Sequence, residues 1–94
     1  MSRIYKYPLA FTGVQEIEMP KGAQVIHVGV QAETICLWAI VDPARPVERR
    51  SFAILATGQP DFDPAIVQHL GSVIMTGGAL VWHVFEPAKS KELR

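Results

Sequence analysis

The chain has 94 residues, the size of one domain. Hydrophobic residues make up 49% of it and charged residues 19%, with nine basic and nine acidic side chains and no net charge. A neutral balance argues against general nucleic-acid binding and against attraction to anionic membranes, while so apolar a small chain is expected to be a homo-oligomer.

Cys36 is the one cysteine, which excludes an intrachain disulfide and a cysteine-rich zinc site. The opening Met1–Tyr7 lacks the apolar core of a signal peptide, and no run approaches the roughly 20 apolar residues of a membrane span. The expected location is therefore the cytoplasm.

Along the chain, apolar residues recur at period two rather than 3.6, the spacing of strands. Strands are predicted at Arg3–Leu9, Val14–Met19, Ala23–Gln31, Thr34–Val41 and Val47–Thr57. Pro20, Gly22, Pro43, Pro46, Gly58 and Pro60 fall where turns are needed. Asp63 followed by Pro64 has the form of a helix start, so a helix of about two turns is predicted over Asp63–His69. Two more strands follow, Leu70–Thr76 and Ala79–Glu86. Residues 1–87 read as one β-rich domain and residues 88–94 as a polar tail. The expected fold is mainly β, a small antiparallel sandwich or barrel-like sheet of about six to seven strands with one short helix.

Two hairpins have a readable register. Gly77-Gly78 between apolar runs predicts a tight turn that sets Ile74 opposite Val81, Val73 opposite Trp82, and Ser72 opposite His83. A turn at Ala32-Glu33 sets Val28 opposite Leu37, His27 opposite Trp38, and Gly29 opposite Cys36. One face of the second hairpin then carries Ile26, Val28, Val30, Ile35, Leu37, Ala39 and Val41. Its other face still carries Val25, Cys36, Trp38 and Ile40. Strands apolar on both sides are covered on both sides, by a second sheet or by a second copy of the chain.

Candidate chemistry is sparse. Cys36 sits among Ile35, Leu37 and Trp38, as an inert core thiol would. Ser72 faces His83, but no oxyanion loop or nucleophile elbow accompanies the pair, and Asp42, just before Pro43, is a poor third member. His27, His69 and His83 show no ligand spacing, so no metal is assigned. Glu16 and Glu18 share a strand face and read as a solvated edge; Arg45, Arg49 and Arg50 read the same way. Asp61 and Asp63 read as caps. Gly77-Gly78 leads into a strand rather than a helix, so it is no phosphate loop. No catalytic residue and no cofactor is assigned. The candidate ligand or partner surface is Trp38, His27, Arg49, Arg50, Trp82 and His83, aromatic rings and cations that suit a stacked or anionic ligand.

Several short motifs occur in a specific order: Tyr5-Lys6-Tyr7-Pro8-Leu9, Glu18-Met19-Pro20-Lys21-Gly22-Ala23, His27-Val28-Gly29-Val30-Gln31, Cys36-Leu37-Trp38-Ala39, Val41-Asp42-Pro43, Thr57-Gly58-Gln59-Pro60, and Gly77 through Glu86. This order resembles a family of short, uncharacterised proteins of bacteriophages and prophages that carry a domain of unknown function. The resemblance runs from about Ile4 to Glu86 and leaves out the polar tail. It implies a phage origin and action in the cytoplasm of a bacterial host, and it brings no catalytic residues. The resulting expectation is a small phage-encoded accessory protein, not an enzyme, that acts by stoichiometric binding and in its specific form inhibits a host antiviral defence protein. Three alternatives stay open: an oligomeric trap for a small nucleotide-derived signal, a virion or assembly component, and a small metal-dependent β-barrel enzyme that uses the histidines.

Overall fold

The computed structural model describes residues 1–59 and 67–87. Among the described residues seven strands form, close to where the period-two pattern places them except that the sixth starts three residues earlier: β1 (Arg3–Pro8), β2 (Val14–Pro20), β3 (Gln24–Gln31), β4 (Thr34–Val41), β5 (Val47–Ala56), β6 (Val67–Met75) and β7 (Leu80–Pro87). They make two antiparallel sheets, one of three strands in the order β1-β4-β3 and one of four in the order β2-β5-β7-β6. Among the described residues no ladder joins the two sheets, so they form a pair of sheets and no closed barrel is found. Among the described residues no helix is long and apolar enough to cross a membrane.

The core lies between the sheets. The three-stranded sheet contributes Val28, Ile35, Leu37, Ala39 and Val41, and the four-stranded sheet contributes Met19, Phe52, Ile54, Val73 and Val84. These residues alternate along their strands, so the pleat turns each set inward. Leu9 and Ala23, next to strand ends, plug the margins of this core. The sheets meet most closely where β3 passes β6. Gly71 lies there against Val28, and a methyl group on Gly71 would sit 2.9 Å from the Val28 Cβ.

Both predicted hairpin registers form. His27, Val28 and Gly29 pair with Trp38, Leu37 and Cys36, and Ser72, Val73 and Ile74 pair with His83, Trp82 and Val81. The Ala32-Glu33 turn takes positive φ at both residues, 51° and 62°, as a tight turn matched to strand twist requires. The glycine hairpin turns through a short 3-10 segment, Thr76–Gly78.

Three expectations need correction. The predicted helix over Asp63–His69 does not extend to its end, because Val67, Gln68 and His69 belong to β6; its first part lies outside the described residues, as do Asp61 and the polar tail. The pairing of Val67, Gln68 and His69 with Pro87, Glu86 and Phe85 supplies the backbone hydrogen bonds that a helix would have supplied there. Among the described residues that 3-10 segment is the one helical turn. The face assignment of β3 also fails at its start. A bulge between Val25 and His27 adds a residue, which turns Val25 toward the core and leaves Ile26 exposed. Finally, Arg50 is not on a solvated edge but lies between the sheets.

Candidate functional site

The six candidate surface residues do not form one site. Trp38 and His27 are neighbours on the outer face of the three-stranded sheet, paired across β3 and β4. Their rings lie 5.5 Å apart at 46°, a tilted contact that covers the Cα of Gly29. Ile4 pairs with Ile40 on the same face, and both are exposed, at 61% and 37%. The predicted second apolar face is therefore real, and among the described residues it is not roofed by the other sheet.

Arg49 lies on the outer face of the four-stranded sheet, 3.9 Å from Glu16 and 3.6 Å from Glu18 across β2 and β5. All three side chains are exposed, so these pairs are solvated edge contacts, as the sequence suggested for the acids. Arg50, one residue on, points the other way. Its guanidinium donates to both carboxylate oxygens of Glu86, at 2.8 and 2.9 Å, and to the carbonyl of Ala23. The hydrogen bond to Glu86 raises the Arg50 pKa above its ordinary value, against the cost of burial. Trp82 also faces inward, with Phe11 against it at 5.4 Å, and its indole Nε1 is buried without a hydrogen-bond partner. Arg50 is thus engaged by Glu86 and Ala23, and Trp82 is half-buried beside Phe11.

His83 is the candidate with chemistry around it. It sits in β7 on the outer face of the four-stranded sheet, between Leu55 of β5 and Ser72 of β6. Its Nδ1 is 2.7 Å from the Ser72 hydroxyl, and its Nε2 is 2.8 Å from the Thr57 hydroxyl. The Ser72 hydroxyl is also 3.0 Å from Nε2 of His69. The result is one line of hydrogen bonds: Thr57, His83, Ser72, His69. His69 is held by Phe85, whose ring is 5.3 Å away. A shallow depression of about 320 Å³ opens at the Thr57 end, lined by Leu55, Ala56, Thr57, Gly58, Gln59, His83 and Phe85.

A bulge explains why His69 joins this line. On a regular strand, residues 69 and 72 fall on opposite faces, because side chains alternate. The register of β6 against β7 slips between His69 and Gly71, and the inserted Leu70 reverses the alternation. His69 and Ser72 then share the outer face, while Leu70 packs toward the core. The sequence signal was Gly71, an isolated glycine in an apolar strand pattern, which marks bulges and close approaches. Thr57 carried no such signal; it enters because β5 ends beside the Gly58 turn.

The Ser72–His83 pair thus has the contact distance of a nucleophile and its base. The other nitrogen of His83, however, reaches a threonine rather than a carboxylate. Asp42, the weak candidate for that place, instead caps the Ala44 N–H, with the chain N-terminus 3.9 Å away. Among the described residues no three His, Cys, Asp or Glu side chains cluster as a metal site would require. Cys36 is buried, as expected of a core thiol.

Searches of the curated proteins and of the solved structures found no match to the chain. A family model, described as a domain of unknown function (DUF7352), matches residues 1–94. The chain, from its first residue to its last, belongs to that family.

Proposed function

We propose that the protein is a stoichiometric binding protein that works as a homo-oligomer, and that a second copy docks on the outer face of the three-stranded sheet. The observation that carries this reading is the exposed row of Ile4 and Ile40 beside Trp38 and His27. Apolar side chains gathered on one face of a small domain mark a contact surface.

The sheet edges support the choice of a face over an edge. Edge strand β1 carries Arg3 and Lys6 and ends in Pro8, and edge strand β2 carries Glu16 and Glu18 and ends in Pro20. Charged side chains and prolines on outer strands discourage pairing with another chain. The remaining edges, β3 and β6, pack against each other. With no net charge, two copies meet without long-range repulsion.

The likeness to phage and prophage proteins makes a host protein, such as an antiviral defence component, the partner class of this reading. A nucleotide trap that used Trp38 with Arg49 or Arg50 would have to form between subunits, because within one subunit Trp38 and Arg49 lie on the outer faces of different sheets and Arg50 lies between the sheets.

The test is molar mass by light scattering for the chain and for Ile40→Lys. The reading expects a multiple of 10.4 kDa for the former and the monomer mass for the latter. Equal masses for both, with the variant folded, overturn docking on this face.

A further inference from the structure

We infer that the depression beside Thr57 and His83 is a binding site for a small carboxylate with a short apolar tail, and that binding takes up a proton on the adjoining imidazole relay. This site is separate from the proposed self-association face and does not depend on it.

The argument rests on how protons can be arranged along Thr57, His83, Ser72 and His69. Each hydroxyl has one hydrogen to donate, and each neutral imidazole has one N–H and one bare nitrogen. With both imidazoles neutral, the line runs in either direction. In one, Thr57 donates to Nε2 of His83, and the hydroxyl hydrogen is used up within the line. In the other, His69 donates to Ser72, Ser72 to His83 Nδ1, and His83 Nε2–H to Thr57. The Thr57 hydrogen is then directed away from the relay, on a residue that lines the depression.

A proton on His83 removes the choice. With the charge on that ring both its nitrogens carry hydrogen, so Nε2–H donates to Thr57 and Nδ1–H donates to Ser72, whose hydroxyl donates to His69. The Thr57 hydrogen is then not used within the relay, and Thr57 lines the depression together with the charged ring. A protonated relay therefore offers a hydrogen-bond donor backed by one charge, the combination that selects an anionic acceptor.

The walls select the rest of the ligand. Leu55 and Phe85 are apolar, and about 320 Å³ is at the small end of ligand sites. Among the described residues no charged side chain lines the depression. The charged groups described on the same sheet face are Arg49, Glu16 and Glu18, with Arg49 paired to both acids across β2 and β5. Glu86 of β7 turns to the interior and binds Arg50. The relay is the cation this depression has among the described residues.

The experiment is NMR titration of the full chain with benzoate and, separately, with its neutral isostere benzamide, at about pH 5.5 and about pH 8, on either side of the usual imidazole range. Benzoate is expected to bind at least about tenfold more tightly at the lower pH, with shifts centred on Thr57, His83 and Phe85. Benzamide is expected to show no such pH dependence. Thr57→Val, which keeps the shape and removes the hydroxyl, is expected to abolish the preference for benzoate, and His69→Gln to reduce its pH dependence. Absence of benzoate binding at the lower pH, or binding unchanged in a folded Thr57→Val, overturns the inference.

Discussion

Arg50 and Glu86 close one end of the space between the sheets with a two-pronged ion pair, at 2.8 and 2.9 Å, from side chains only 11% and 14% exposed. Phe52 lies 5.9 Å beneath the guanidinium, so the charge is shielded on a ring face as well as by the carboxylate. Breaking such a pair from one side leaves an uncompensated buried charge, while replacing both partners does not. Glu86→Gln is therefore expected to lower stability by about 3 kcal/mol, and the double change Arg50→Met, Glu86→Leu by much less. Urea unfolding of the parent and these two variants measures the difference; equal losses in the single and double variants would contradict it.

Tyr7 gives the fold a dependence on alkaline pH. Burial, with a smaller contribution from Tyr5, raises its phenol above the ordinary value of 10.0, and Arg50 opposes the rise in part. A raised pKa means that the folded state favours the neutral phenol. The associated stability is complete below about pH 10 and is lost as pH rises through the higher folded value. Tyr7→Phe is expected to match the parent near neutrality and to lose less stability between about pH 9 and pH 11. Parallel declines in the two chains over that range would rule out this role.

Gly71 is where β6 can lie against β3. A methyl group there would meet the branched Val28 side chain at 2.9 Å, and Val28 is itself buried in the core. Overpacking of this kind costs about 1–3 kcal/mol. Gly71→Ala should show that loss in thermal unfolding, and Gly71→Ala combined with Val28→Ala should recover part of it. No loss in the single variant would mean that the sheets separate freely at this contact.

The Ala32-Glu33 turn holds two ordinary residues at positive φ. Left-handed backbone costs a residue with a Cβ about 1 kcal/mol relative to glycine, and Asn-Gly is the pair that this turn prefers. Ala32→Asn with Glu33→Gly is expected to stabilise the chain by about 1 kcal/mol, read as a higher denaturant midpoint at unchanged slope. A lower midpoint would show that the hairpin depends on contacts of the native side chains.

The strands were legible because their physics is local. Alternation in Thr34–Val41 fixes which side chains turn inward, and the same parity sets Val28 against Leu37 and Val73 against Trp82. Two bulges were missed, since one inserted residue leaves the composition unchanged and reverses the side chains beyond it; Gly71 was the one local sign, at the second. Ile26 and Leu70 are the inserted residues, and the second insertion placed His69 beside Ser72. The helix prediction failed at Val67–His69 because Asp-Pro is a strong local start signal, whereas pairing with β7 is a tertiary contact that no window of sequence contains. Arg50 was misplaced for a related reason. A run of two arginines reads as solvated, and only the strand pleat, together with Glu86, turns one of them inward. The second apolar face, by contrast, was anticipated from Cys36, Trp38 and Ile40 of β4, although Val25, assigned to the same face, turns toward the core.

That face carries the central claim, that a second copy of the chain covers Ile4, Trp38 and Ile40. Sedimentation equilibrium of the unaltered chain over a wide concentration range tests it most directly. The account predicts a reversible self-association whose fitted mass rises from 10.4 kDa to a whole-number multiple. A constant mass of 10.4 kDa at all concentrations would contradict it.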